Sequence, residues 1–425
     1  MRHLTATLCL GALAAAASSS FAQTPARAPV DVDALSLADE PVQAPQAAQS
    51  WRFFAEAAAS RGTLFGVPSK VTGGRVAFDM RYDSTFAPGW RIVLSDRLDV
   101  ARHSEDVLDY NVNTVREAYL SWHVTPTEIL DMGRVNLRFG SAYGYNPTDF
   151  FKAGALRSIT SPDPANLREN RQGSFVLQGQ KLWSTTSVSL VLSPRLDRTP
   201  SESTFALNEG ATNPSDRWLL AGSHKFSPNF EPQIVLHGGE DTPLQYGVNL
   251  TGLLGNATVA YAELAGGKGP SLISRTLSDG APERIQRRAA LGLTYTTAFN
   301  LSVTGEVEYN SAGADRGEWA TFTAAAPGNA LRLLQTAQYQ QDLPARRAAF
   351  VHALWRDVGI KGLDISGFVR REAETRSREQ WIEARYHWNK AEVALQWQSF
   401  NGAPSSVFGA VPQPRRLELL LRVFL

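Results

Sequence analysis

From Trp51 to the last residue, apolar and polar side chains alternate in segment after segment, the period of two that gives a strand one greasy and one polar face. Val76, Phe78, Met80 and Tyr82 interleave with Arg75, Asp79 and Arg81. Ile92, Leu94, Leu98 and Val100 interleave with Arg91, Ser95, Arg97 and Asp99, and Leu301, Val303, Val307 and Tyr309 interleave with Ser302, Thr304, Glu306 and Glu308. The final segment, Leu417, Leu419, Leu421, Val423 and Leu425, alternates to the end of the chain. An unpaired apolar edge invites aggregation, so the pattern calls for a sheet that closes on itself. After the first residues no stretch reaches the roughly 18 uninterrupted apolar residues of a membrane helix. If the chain crosses a membrane, it does so as strands.

About 18 such segments can be marked, each near the ~9–11 residues of a tilted membrane strand. Their centres are Phe54, Phe78, Leu94, Leu120, Arg134, Leu177, Val188, Leu220, Val235, Val248, Val259, Leu291, Val303, Val351, Ile365, Ala384, Leu395 and Leu421. An even number puts both ends of the chain on one side of a membrane. Connections after even-numbered segments are short and turn-rich: Ala87-Pro88-Gly89, Thr125-Pro126-Thr127, Ser227-Pro228-Asn229, Leu254-Gly255-Asn256 and Asn389-Lys390. Those after odd-numbered segments are mostly long, notably Phe139 to Gln172, Ser193 to Ser215, Gly266 to Gln286 and Ser311 to Arg346, with Gly239 to Leu244 the short exception. Short turns at one end and long loops at the other are the periplasmic and extracellular sides of an outer-membrane barrel. Trp51, Trp90, Trp122, Trp218, Trp381 and Trp388 fall near segment ends, where interfacial aromatic rings belong. The predicted fold is all-β: a transmembrane antiparallel up-and-down barrel over 51–425. A large soluble all-β protein is the competing reading.

The start of the chain reads as an export signal: Arg2 and His3, an apolar run from Leu4 to Ala17, and the small-x-small site Ser20-Phe21-Ala22. Residues 1–22 would be removed, and 23–50, rich in Pro and Ala, would form a flexible periplasmic tail. The lone cysteine, Cys9, lies inside that signal, so the mature chain would hold no disulfide, thiolate metal site or cysteine nucleophile. With 42 Lys and Arg against 41 Asp and Glu, bulk charge gives no reason to bind nucleic acid.

In a closed barrel of this size the polar face lines a lumen. The expected pore-lining residues are Arg75, Asp79, Arg81, Arg91, Arg97, Asp99, Arg134, Arg138, Glu306, Glu308, Arg370 and Arg385. The arginines would make one wall basic and Glu306 with Glu308 another acidic; the plainer alternative is salt bridges that stiffen the wall. If Asp83 stands opposite Arg91 in the hairpin, Arg97 faces Ala77, and Arg97 with Arg134 would offer free charge to a passing anion. The connection after the fifth segment is expected to fold inward on Gly140, Gly144 and Gly154, with Tyr143, Asn146, Asp149, Lys152 and Arg157 as candidate constriction residues. Enzymatic readings fare poorly. Ser223 and His224 are adjacent on a strand and point to opposite faces, and His123, His237, His352 and His387 are scattered. No metal-ligand cluster, phosphate loop or cofactor motif is present, so neither metal nor cofactor is expected.

Gly133-Arg134, then Val135, Leu137 and Gly140, then Asn146-Pro147-Thr148-Asp149-Phe150-Phe151 form a strand with Gly-Arg followed by an Asn-Pro-x-Asp loop. This resembles a group of porin-like outer-membrane proteins of Proteobacteria, and the strand count resembles the alginate-export barrels. The chain ends in Leu425 where such barrels usually end in Phe, with Phe424 one place early. The resemblance implies an outer-membrane channel, surrounded by lipid and inserted by the barrel-assembly machinery, for polar solutes or oligosaccharides, anionic ones included. Alginate export would imply a conduit for anionic polysaccharide, but no substrate residues can be matched one by one. The rival readings are a closed-lumen surface-assembly barrel and a barrel enzyme acting on lipid or peptide.

Overall fold

The computed structural model describes residues 50–280 and 283–425. The signal at 1–22 and the tail, apart from Ser50, lie outside the described residues. Eighteen strands follow one another. They are β1 (Trp51–Thr63), β2 (Val71–Ala87), β3 (Trp90–His103), β4 (Tyr110–Thr125), β5 (Glu128–Val135) and β6 (Ser174–Leu182). Then come β7 (Thr186–Ser193), β8 (Arg217–His224), β9 (Gln233–Gly239), β10 (Thr242–Leu254), β11 (Thr258–Gly269) and β12 (Arg284–Thr296). The chain finishes with β13 (Leu301–Asn310), β14 (Arg347–Trp355), β15 (Leu363–Glu372), β16 (Arg378–His387), β17 (Ala391–Asn401) and β18 (Arg415–Phe424). Each pairs antiparallel with its sequence neighbours, and β18 closes onto β1, so no edge is left open. All eighteen segment centres fall inside their strands.

The parity of each strand separates two environments. Outward positions are apolar and exposed, with Leu291 at 48% and Val307 at 57%, while the alternate Thr304 and Glu306 are at 5% and 3%. A closed barrel whose outside is this apolar is built to sit in hydrocarbon. Long connections, at 136–173, 194–216, 270–283 and 311–346, gather at one end. The third is shorter than expected because β11 and β12 both run on past Gly266 and Gln286. At the opposite end the turns are short and aromatic, with Trp90 and Trp122 stacked at 5.2 Å.

The long loops carry helices α1 (Pro164–Glu169), α2 (Glu209–Thr212), α3 (Leu272–Leu277), α4 (Arg316–Ala325) and α5 (Asn329–Gln340). Asp315 and Glu318 form a reciprocal cap that starts α4. Leu272, Trp319, Phe322, Leu333 and Ala337 then form a small core of their own at the mouth of the barrel.

The β2–β3 register differs from expectation. A bulge between Thr85 and Ala87 at the Pro88-Gly89 turn sets Thr85 opposite Arg91, Asp79 opposite Arg97 and Ala77 opposite Asp99. Asp83 still reaches Arg91, but diagonally, through two 2.6 Å hydrogen bonds. Arg97 therefore has an acid directly across from it.

Candidate functional site

The connection after β5 fills much of the lumen, and the reason can be followed along its residues. Leu137 and Phe139 continue the alternation of β5 beyond its last hydrogen bond and, with Phe151, bury against Val176, Val191, Leu219 and Val235, the apolar inner face of β6–β9. Arg138, between them, is left exposed, with no ion pair among the described residues. Gly140, at φ 86°, turns the chain toward β11; a Cβ there would lie 2.2 Å from Glu263 Oε1.

Carboxylates of the far wall then hold the loop by its backbone. Glu263 accepts from the Ala142 N–H at 2.6 Å and the Thr148 hydroxyl at 3.0 Å. Glu306 accepts from the N–H groups of Tyr143 and Tyr145, each at 2.9 Å, and from the Tyr261 hydroxyl at 2.8 Å. Arg370 donates to the Gly144 carbonyl at 2.5 Å and reaches Glu308 at 3.4 Å. Such charge-assisted bonds are the strong ones, so this segment is fastened rather than draped.

Farther on, Asp149 pairs with Arg171 at 2.5 Å, and Lys152 with Asp342 at 3.0 Å. Burial pushes the Lys152 pKa below its ordinary value, with Asp342 opposing; burial alone would raise Asp342, but Lys152 and Arg288 outweigh it and hold that carboxyl low. Phe150 stacks on the His237 ring at 5.1 Å. The loop ends by passing β16–β18, where Ile159 to Pro162 face Trp381, Gln396 and Arg416 across a narrow gap. There Asp163 caps α1 and accepts from the Tyr143 hydroxyl at 3.2 Å and the Asn166 amide at 2.9 Å. Burial, with Glu383 adding to it, lifts the Asp163 pKa to about 6.

The remaining wall, β15 through β18 and on to β4, is a continuous ion-pair lattice. Glu56 sits at its centre, 2.5 Å from Arg75, 3.0 Å from Arg97 and 2.9 Å from Arg422. Asp99 joins Arg97 at 2.9 Å and Arg75 at 3.4 Å, Asp79 joins Arg116 at 2.6 Å, and Glu418 joins Arg75 at 3.4 Å. Glu392 carries the lattice on through Arg422 and Arg385 to His387, and Asp364 ends it.

The expected lining residues thus divide. Arg75, Asp79, Arg97 and Asp99 point inward but are consumed in the lattice, each 4% exposed or less. Glu306 and Glu308 lie beneath the loop they hold, so they form no acidic wall open to solute. Arg134 does not face the lumen: its cross-strand partners are the outward Ala118 and Phe175, its guanidinium stacks 4.7 Å from the Phe175 ring, and Leu207 roofs it through a 2.6 Å bond. Arg81, Arg91, Arg138, Arg370 and Arg385 keep access to the open lumen. Among the loop candidates, Asn146, Asp149 and Lys152 are buried braces, and Arg157 spends its guanidinium on the carbonyls of Asn113, Ala206 and Ser203. Tyr143 sits between Glu306 and Asp163. Sequence reasoning missed Glu56, Arg116 and Glu263; Glu56, alone among Ala55, Ala57, Ala58 and Ala59, was the available signal. At the loop end, α3 and α5 border an open cleft of about 740 Å³ lined by Arg275, Glu283, Gln335 and Tyr339.

No protein-family model and no curated protein matches the chain. Solved structures do. OccAB1 of Acinetobacter baumannii, 11% identical, covers 88% of this chain and 96% of its own with a TM-score of 0.58. OccK5 (OpdH) of Pseudomonas aeruginosa, 12% identical, covers 88% and 98% with a TM-score of 0.54. OccK2 (OpdF) of Pseudomonas aeruginosa, solved in complex with glucuronate and 13% identical, covers 88% and 96% with a TM-score of 0.51. These are Occ outer-membrane porins with 18-stranded barrels, so the likeness shown is to them rather than to the alginate-export barrels. At this identity the shared property is the fold: a closed 18-stranded antiparallel barrel of the porin type.

Proposed function

We propose that this barrel is a porin-like channel of the outer membrane that admits small polar solutes, anionic ones preferentially, through a lumen narrowed by the loop at 136–173. One observation carries the reading. The loop is fastened across the lumen while Arg138, exposed and without an ion pair among the described residues, adds an uncompensated positive charge beside it; Arg81, Arg91, Arg370 and Arg385 stay partly exposed but are each paired with a carboxylate. The glucuronate bound by OccK2 is a solute of that kind. A polymer conduit fits less well, because the loop occupies the space a polysaccharide would thread. Export by an N-terminal signal and insertion by the barrel-assembly machinery belong to the same proposal, as does the absence of enzymatic activity. Planar-bilayer recording of the folded full chain tests it: discrete conductance steps are expected, with a reversal potential favouring anions. Arg138→Gln should shift that potential toward cations while conductance persists. A correctly folded barrel that never conducts would overturn the channel and favour the closed-lumen assembly protein.

A further inference from the structure

Every carboxylate on β10–β18 and on β1 occupies an inward-facing position, but arginines of the same strands occupy both faces. At the loop end of the barrel, Arg371 of β15 and Arg378 of β16 are direct cross-strand partners on the outside. Arg376, at φ 57°, lies in the turn between them. Arg415 of β18 stands outward between Thr63 and Ser399, and Arg61 of β1 outward between Leu417 and Thr72. All five are exposed, and none of their guanidinium groups has a hydrogen bond or ion pair among the described residues. Like charges directly opposite each other on a sheet are destabilising, and among the described residues the one acid that reaches an outward arginine nearby, Glu374, pairs with Arg347 at 2.8 Å rather than with this row. Next to the row on the same outer face come Val369, Ile382, Leu417 and Leu419, all exposed. The surface therefore offers guanidinium groups without a carboxylate partner at the loop end of an apolar outer face.

We propose that this row is a binding site for a phosphorylated glycolipid of the outer leaflet, a headgroup of the lipid A kind carrying phosphates over several acyl chains. Guanidinium groups bind phosphate in a bidentate fork, and the Arg371–Arg378 pair places two such forks side by side. The acyl chains lie along Val369, Ile382, Leu417 and Leu419. The other rim is built differently, with aromatic rings such as Trp90 and Trp122, as suits an ordinary phospholipid leaflet. The inference needs the barrel to stand with its long loops outward; it does not need the lumen to conduct.

The test uses the folded full chain in detergent micelles, with bisphosphorylated lipid A as probe and native mass spectrometry to count retained lipid. Wild type should hold the probe, and Arg371→Gln with Arg378→Gln should weaken it about 30-fold, since each basic residue near such a surface contributes about a factor of five. Fully dephosphorylated lipid A should bind wild type as weakly as the probe binds the variant. Arg61→Gln with Arg415→Gln serves as a second variant should the first fail to fold, judged by heat-modifiable gel mobility. Undiminished binding by the folded variants, equal retention of the dephosphorylated lipid, or displacement by millimolar inorganic phosphate would each overturn the site. Single-channel conductance should be unchanged in all variants, which separates failure here from failure of the channel reading.

Discussion

The lumen has two walls furnished with the same kinds of acid, and they use them in opposite ways. On the wall from β15 round to β4, carboxylates such as Glu56 hold arginines of neighbouring strands, tying strand to strand. On the β11–β13 wall, Glu263 and Glu306 hold backbone N–H groups of an inward loop, tying loop to wall. The first arrangement stiffens the barrel; the second fixes the aperture. The difference shows that an inward acid on a membrane barrel has a role set by what lies over it, not by its type.

The largest expected effect lies in the lattice. Glu56→Gln leaves Arg75, Arg97 and Arg422 facing one another without their shared acid, at 3% to 21% side-chain exposure. Removing one member of such a buried cluster costs about 3–5 kcal/mol. A denaturant titration in lipid vesicles should show that loss, with conductance in the surviving population close to wild type. An intact midpoint with altered current would mean that this wall also shapes the aperture, and the comparison would fail.

The next effect concerns the parity on which both walls depend. Val303→Arg should cost about 2–4 kcal/mol if Val303 faces hydrocarbon near mid-bilayer. Thr304→Arg, one residue on and inward, should be milder in the same titration. Equal damage at both parities would remove the distinction between lumen and lipid face.

How much of this was legible beforehand follows from where each residue gets its partner. Strand centres, loop asymmetry and the outward face of Val303 were readable because alternation is local and sets a face within one strand. The β2–β3 register was not, because the bulge between Thr85 and Ala87 displaces the ladder. Arg134 was misread for a related reason: β5 ends at Val135, and Leu207 from a distant loop roofs its outer side. The anchoring role of Glu306 depends on backbone N–H groups about 160 residues earlier, and backbone donors carry no sequence signature.

On the loop wall, Glu306→Gln should cost only about 2 kcal/mol, since the amide still accepts hydrogen bonds, though uncharged ones. Its clearer signature should be in the current. A less firmly held Tyr143–Tyr145 segment should give flickering, enlarged conductance steps. Quiet wild-type steps would show that Glu263 and Arg370 suffice, and that the carboxylate of Glu306 is not needed to fix the aperture.

The smallest effect separates the walls by pH at Asp163, where the loop meets the lattice side. Its pKa of about 6 in the folded chain stands above the ordinary 3.8, with burial the main cause and Glu383 adding to it. Between those values the folded loop binds a proton that the undocked loop does not, so the stabilisation is fully present below pH 4 and is lost as pH rises through 6. A shift of about two units would correspond to roughly 3 kcal/mol for a fully enclosed group. Asp163 is only half-buried, so about 1–2 kcal/mol is the reasonable expectation. Asp163→Asn keeps a side chain that caps α1 about equally well and removes the titration. The variant should therefore hold its loop at pH 7.5 at least as firmly as wild type does at pH 5, and the wild-type loss between those two values should vanish. Hydrogen exchange of the N–H groups of 165–169 reads this locally, apart from the carboxylates elsewhere in the barrel. Identical pH dependence in wild type and variant would place the titration in another group and leave Asp163 a helix cap without a switch.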